Sequence, residues 1–488
     1  MTISFNQISA SLRTPGVYVE FDNSRAVQGL ALDVTRPLML GQMLTSGSAT
    51  ALMPVRVTSA AQAVRLFGRG SMLAQMVAAW KTANSDSDLW VMPLADNSAG
   101  QAASGTITVS GTPTAAGTLA LYVAGQRVQV AIAAGQSAAT VATAIAAAIN
   151  ADADLIVTAS TTTTVVTLTC RHKGQVFNGL DLRLNYYPGE STPSGLGIAF
   201  TTVNGGSGNP DLTDALAALG DVQYHHLCSP YADVANLVLL EDEFGSRWDG
   251  MRQIEGQVWT ATVGSHSSLS TLGASRNSEV LSILGVQGSP TPVWVIAAIY
   301  TAVAIKALDN DPARPLQTLV LTGMLAPSES LRFTRTERNL LLFDGISTFT
   351  VAADGTCAIE RAITTYQVNS SGLPDPSYLD VETLATLAIL RRTMRSRLAQ
   401  KFPRHKLAND GTNYGIGQAI VTPSLLRAEL IALAREWETR GWVENIDDFK
   451  DQLIVERNAD DANRVDAVIP PDLINQLRVF AGQVQFRV

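Results

Sequence analysis

Between Ser71 and Trp80 the sequence SMLAQMVAAW sets Met72, Met76 and Ala79/Trp80 at helical spacing, so one face of a helix is apolar. On either side of it, Pro37-Leu38-Met39-Leu40-Gly41 is a short apolar run closed by glycine, and Asp88-Leu89-Trp90-Val91-Met92-Pro93 reads as a buried strand stopped by proline. From residue 104 to about 188 the chain turns Thr/Val/Gly-rich. This stretch predicts strands at 106–109, 118–123, 126–132, 155–159, 165–170 and 180–186, with a hairpin at Gly125-Gln126. One alanine-rich helix, 137–150, interrupts them. After Gly205-Gly206-Ser207-Gly208 the rhythm changes to alternation. Helices are expected at 211–219, 231–244, 266–272 and 292–308, and strands at 224–228, 257–263 and 280–286, the pattern of a parallel α/β sheet. Leu341-Leu342-Phe343-Asp344-Gly345 reads as one arm of a hairpin, followed by strands at 348–352 and 359–365. A long helix spans about 380–401. A second opens with Thr422 as N-cap and Pro423 at its first position, and ends at Gly441. Strands at 453–456 and 464–469 follow.

The last ten residues alternate once more. Val484, Phe486 and Val488 face one way, Gln483, Gln485 and Arg487 the other, and Val479 and Phe480 lead into them. Near the other end Val17, Tyr18, Val19 and Phe21 form a similar strand behind a Ser/Asn/Thr-rich leader. Chain ends fray unless something ties them down. These two strands are therefore either edge strands of this fold or linkers added to a neighbouring subunit's sheet. The composition shifts divide the chain into an arm (1–25), a first core segment (26–98), an inserted β-rich α+β domain (99–204), an α/β core (205–370) and an α+β C-terminal domain (371–488).

Only 16% of the 488 residues are charged, against an ordinary ~25%, which hints at surface buried in an assembly. The net charge of −8 argues against a general nucleic-acid binder. The run 293–305 is shorter than the ~20 residues a bilayer span needs, so it reads as a buried helix. No secretory leader is expected from Met1-Thr2-Ile3-Ser4-Phe5. Cys170, Cys228 and Cys357 are too far apart for a zinc pattern or a disulfide framework, which suits a reducing compartment.

The search for chemistry yields no nucleophile elbow, Walker A loop or dinucleotide fingerprint. His225-His226 falls in a strand, where adjacent side chains point to opposite faces and cannot share a metal. Ser265-His266 are loop neighbours rather than a spatial triad. Glu241-Asp242-Glu243 reads as a solvated helix face. No catalytic, cofactor or metal site is assigned. The charge feature that stands out is basic: Arg391, Arg392, Arg395, Arg397, Lys401, Arg404 and Lys406 fall in a stretch with no acidic residue. It is either a face with partners elsewhere in the fold or a docking face for an acidic partner.

The runs Phe402-Pro403-Arg404-His405-Lys406-Leu407-Ala408-Asn409-Asp410-Gly411, Val455-Glu456-Arg457-Asn458 and Pro470-Pro471-Asp472-Leu473-Ile474-Asn475-Gln476, leading to Gln485-Phe486-Arg487-Val488, resemble tail sheath proteins of Mu-like contractile-tailed bacteriophages. Pro15-Gly16-Val17-Tyr18-Val19-Glu20-Phe21-Asp22-Asn23-Ser24 and Pro54-Val55-Arg56-Val57-Thr58-Ser59 resemble them as well. The resemblance implies a multidomain α/β protein. Its core would be subtilisin-like but non-catalytic, with an outward-projecting insert and a C-terminal domain ending in an exchanged strand. It further implies hexameric rings stacked around a tail tube, with baseplate and tail terminator proteins as further partners. Assembly would take place in the host cytoplasm, and contraction would drive the tube through the host envelope without membrane insertion by the sheath. The terminal strands would then be linkers, and the basic strip a candidate tube-facing surface. A headless tailocin sheath would look nearly the same; a hydrolase with an unrecognised site is the remote alternative.

Overall fold

Every position of Pro37–Gln42 (β1) is buried, as a strand covered on both faces by helices requires. The computed structural model describes Thr14, residues 35–415 and residues 417–487. The expected arm residues Val17, Tyr18, Val19 and Phe21, and the final Val488, lie outside the described residues. The described chain forms two compact units, one of Thr35–Ala388 with Leu473–Val488 and one built on Ile389–Asp472.

In the larger unit β1 is followed by β2 (Val55–Val57), α1 (Ala60–Phe67), α2 (Met72–Ala83) and β3 (Leu89–Leu94). Ser59 and Ser71 start the helices by accepting from the N–H groups of Gln62 and Ala74. Helix α2 buries Met72, Met76 and Trp80, the stripe its spacing predicts. An excursion then runs through β4 (Ala102–Gly111), β5 (Gly117–Val123), β6 (Gln126–Ile132), α3 (Ala138–Ala151), β7 (Val157–Thr162), β8 (Val165–Lys173), β9 (Leu182–Leu184) and β10 (Leu196–Phe200). It builds two sheets, β10-β4-β8-β7 and β6-β5-β9, and α3 buries Val141, Ile145 and Ile149. At the β5–β6 turn Ala124 and Gly125 have φ of 53° and 75°. A two-residue hairpin needs this left-handed pair, and glycine adopts it freely. The chain enters and leaves the excursion side by side, with bridges from Gln101 to Ser207 and from Ser104 to Asn204.

The alternation after residue 205 appears as α4 (Thr213–Leu219), β11 (His226–Cys228), α5 (Val234–Trp248), β12 (Gln257–Val263), α6 (His266–Ala274), β13 (Leu281–Val286) and α7 (Val293–Asn310). The central sheet has the order β13-β12-β11-β1-β3-β2, parallel except at β2. Helix α7 is long and apolar enough to cross a membrane by length and composition, but 67% of it is buried within the subunit. It is the buried helix its sequence suggests.

One expectation fails. Leu341, Leu342 and Phe343 end a helix, α8 (Arg335–Phe343), rather than forming a hairpin arm. The helix starts from a capping box, in which the Thr334 side chain accepts from Glu337 N while Glu337 reaches back to Thr334 N. That Thr-x-x-Glu signal outweighs the short apolar run. A separate hairpin follows, β14 (Thr348–Val351) with β15 (Cys357–Arg361).

Helix α9 (Val381–Lys401) begins in the larger unit and runs into the smaller one. The smaller unit continues with β16 (Lys406–Leu407), β17 (Ile420–Val421), α10 (Pro423–Thr439), β18 (Val443–Glu444), α11 (Ile446–Gln452), β19 (Ile454–Arg457) and β20 (Val465–Val468). Thr422 caps α10 and Pro423 opens it, as expected, and Leu430, Leu433 and Trp437 are buried. Trp437 Nε1 donates to Thr393 Oγ1 at 3.0 Å, fastening α10 to α9.

Candidate assembly surfaces

An open parallel sheet places its usual ligand crevice at the carboxyl ends of strands where the winding reverses. Here that point lies between β1 and β11. It is filled. Gln42, at the end of β1, donates through Nε2 to Asp96 Oδ1 and to the Lys173 carbonyl, both at 2.7 Å. Tyr231, just past β11, donates its hydroxyl to Gln42 Oε1 at 3.3 Å. His172 Nδ1 lies 2.8 Å from Asp96, and His172 Nε2 accepts from Met72 N at 3.1 Å, which puts the ring proton on Nδ1. Burial works against the Asp96 charge, but the bonds from His172, Lys173 N and Gln42 hold its pKa below the usual value. The His172 ring and the Lys173 main chain of the inserted domain thus meet Gln42, Asp96 and Met72 N at this point.

The other sequence candidates are also structural. Ser265 caps α6 by accepting from Ser268 N, and His266 Nε2 lies 3.2 Å from the Glu337 carbonyl. His225 Nδ1 accepts from Arg36 N, and His226 Nδ1 accepts from Trp259 Nε1. Two members of the acidic triplet on α5, Glu241 and Glu243, are paired rather than solvated, while Asp242 is exposed. Glu241 pairs with Arg276 at 3.2 Å, and Glu243 with Arg247 at 2.8 Å and Arg252 at 3.0 Å. The Arg247 guanidinium is fully buried and also donates to the carbonyls of Gly220 and Val222. Sequence reasoning saw the acids but not the arginines that the fold brings to them from 4 to 35 residues away. Among the described residues no group of three or more His, Cys, Asp or Glu could hold a metal ion.

The basic strip divides. Arg397 is turned inward, with only 13% of its side chain exposed, and pairs with Glu429 at 2.9 Å and with Glu436. Lys401 joins the same Glu429 at 2.7 Å. Arg391 and Arg392 are half-buried, and Arg395, Arg404 and Lys406 are exposed. Lys406 Nζ donates to Gln418 Oε1 at 2.8 Å.

Burial opposes the Glu429 charge, but the Lys401 and Arg397 bonds outweigh it and lower its pKa below the ordinary 4.5. A depressed carboxylate pKa gives stability that is present above the unfolded value and is lost as pH falls through the folded one. The α9–α10 packing should therefore weaken below about pH 4.5. Replacing Arg397 by Met should destabilise the smaller unit by about 2–3 kcal/mol at neutral pH and flatten that acid dependence. Thermal melts at pH 4 and pH 7 check both expectations.

At the end of the chain Val479, Phe480, Val484 and Phe486 are 80%, 88%, 89% and 82% exposed, and among the described residues no strand pairs with 479–487. The smaller unit carries a matching deficit. Strands β19 and β20 form a two-stranded sheet with Ile454 and Val468 exposed. Strand β19 packs against α10, and among the described residues no third strand joins this sheet.

Residues 98–197 match the phage tail sheath protein beta-sandwich domain, 205–365 the phage tail sheath protein central domain and 374–487 the phage tail sheath C-terminal domain. The Mu-like prophage FluMu tail sheath protein of Haemophilus influenzae is 45% identical over 486 residues, covering 100% of both chains. The chain belongs to the phage tail sheath family. Solved sheath structures are more distant. The sheath tail protein of Desulfitobacterium hafniense is 14% identical, covers 94% of this chain and 100% of its own, and has a TM-score of 0.48. The anti-feeding prophage helical sheath in the contracted state is 12% identical, covers 97% and 98%, and has a TM-score of 0.48. This sheath protein is a structural component of the virion and not an enzyme.

Proposed function

We propose that this sheath protein polymerises as stacked hexameric rings around a tail tube and contracts on a baseplate signal, driving the tube through the host envelope. The observation that carries this reading is the pairing of an exposed, apolar, strand-patterned chain end with an unfinished two-stranded sheet on the same molecule. The terminal segment of one copy, with Val484 and Phe486 at its centre, adds to the β19–β20 hairpin of another. A contact between two different patches on identical subunits builds rings where the rotation closes and helices where it does not. Each main-chain hydrogen bond adds only about 0.5–1.5 kcal/mol net, but four or five per strand, repeated through a lattice, make a mesh that survives large movement. The arm residues Val17, Tyr18, Val19 and Phe21 serve as a second strand in the same mesh. The work of contraction comes from the assembly, as a kinetically trapped extended lattice gives way to one that buries more apolar surface. The subtilisin-like description of the core and the projecting position of the insert come with the family resemblance.

The test is electron microscopy of the full chain beside one lacking residues 479–488. Hollow cylinders from the first and small particles from the second support the reading; cylinders from both would move the linkage to the arm.

The exposed part of the basic strip, Arg395, Arg404 and Lys406, is the candidate grip on an acidic tube in the extended state. Reversing these three charges to Glu should abolish co-sedimentation with tubes at low salt and leave sheath-only polymers unaffected. Normal tube binding by the triple variant would remove this role.

A further inference from the structure

We propose that Arg478 is a releasable anchor that sets how much of the C-terminal segment is free to reach a neighbouring subunit. The proposal rests on the reading of that segment as the linker.

The chain end changes character within one residue. Gln476 and Arg478 are half-buried between exposed neighbours such as Leu477, whereas from Val479 to Arg487 every residue is exposed. Gln476 Nε2 donates to the Ala313 carbonyl at 3.1 Å. The Arg478 guanidinium, 13% exposed, makes the last charged contact. Its Nη2 sits 3.0 Å from Asp380 Oδ1 and 3.1 Å from Glu382 Oε1. Asp380 is itself held from the other side by Arg361, through two parallel bonds of 3.0 Å. Glu382 is fully buried at the start of α9, and its Oε1 also accepts from Leu316 N at 2.8 Å. Two carboxylates fixed by the fold thus define one position for the guanidinium, and so one exit point for everything after it.

The same contacts explain why the anchor can let go. Glu382 Oε2, Arg478 Nε and Gln476 Oε1 are buried without a hydrogen-bond partner among the described residues. Each such atom gives back part of what the paired atoms gain. Burial pushes the Glu382 carboxyl above its ordinary range in spite of the Arg478 charge. An ion pair of this kind fixes geometry better than it adds net stability.

The consequence is mechanical. With Arg478 seated, residues 479–482 are the only slack before the strand at 483–487, and they span at most about 14 Å. Releasing residues 473–478 adds about 20 Å of reach. A lattice that rearranges without losing its strand contacts needs a reserve of this kind, and the anchor stores it.

The experiment uses the full chain with Leu477→Cys carrying a nitroxide. The native Cys170, Cys228 and Cys357 are buried, so the exposed new thiol is labelled selectively. With Arg478 present the label should move slowly; with Arg478→Met its rotation should become at least about tenfold faster while the melting curve of the larger unit stays in place. Polymers of Arg478→Met should still form, with subunit spacings scattered instead of uniform. Should that variant unfold because Glu382 is left as a buried lone charge, Glu382→Gln with Arg478→Met removes the charge and gives the same two readouts. Unchanged label mobility together with uniform spacing would overturn the anchor. The linker reading is tested apart from it, by whether Val484→Pro chains, with Arg478 intact, still polymerise.

Discussion

Val484→Pro should yield a folded, soluble subunit with an unchanged melting curve that forms no long sheaths. Val484 is 89% exposed and lies in no helix or strand among the described residues. Proline removes one N–H and fixes φ, which a lone exposed segment tolerates and the middle of a ladder does not. Losing one bond of about 1 kcal/mol matters little in a single pair. Here the same loss recurs at every subunit, and the ring distorts beside the strand it should join. Sedimentation and electron microscopy read the outcome. Long cylinders from Val484→Pro chains would show that the terminal strand is not the link.

Trp259→Ala should do the reverse, removing the subunit and with it any polymer. Trp259 lies at the middle of β12 with no exposed surface. Its ring meets Tyr300 of α7 edge-on at 5.2 Å, and its Nε1 donates to His226 Nδ1 at 3.2 Å. Truncation removes the packing between the sheet and its central helix and opens a cavity the size of an indole. It also removes the indole N–H that donates to His226 Nδ1. The expected cost is about 3–5 kcal/mol, a large share of the stability of an ordinary domain. Denaturant melts should show the larger unit unfolding at markedly lower midpoint. A wild-type midpoint would mean that the core repacks around the gap.

The contrast between these two variants follows what was legible in the sequence. Periodicity located α2, α7 and α10 because their apolar faces meet the core of their own subunit. The alternation in residues 483–487 was equally visible, yet no strand of the described residues pairs there, and periodicity alone does not say where a strand finds its partner. Helix α8 was misread because Leu341-Leu342-Phe343 weighed more than Thr334 and Glu337, three residues apart, which close its first turn. The charged groups were hardest to place. Arg397 stood in a run of cations, and only the fold shows the two glutamates of α10 that it meets 32 and 39 residues later. Glu241 and Glu243 erred in the same direction, since a run of like charges says nothing of distant partners. The filling of the crevice by His172 and Asp96 had no local signal at all, because their 76-residue separation is closed only by the sheet.

The paired bridges at the neck of the excursion carry a further consequence. With Gln101 beside Ser207 and Ser104 beside Asn204, the hundred-odd residues between them behave, for the rest of the chain, as one long surface loop. Loop-closure entropy grows only logarithmically with loop length, so closing the neck costs little more for a large excursion than for a small one, and what ties this one to the framework is contacts such as Arg69–Asp154 and Phe177–Trp294. Descendants of one ancestral chain can therefore exchange the pendant domain wholesale, provided that the newcomer supplies its own plug for the crevice. Diversification of the pendant surface and preservation of the chain ends become separable problems, open to different selective pressures on different timescales.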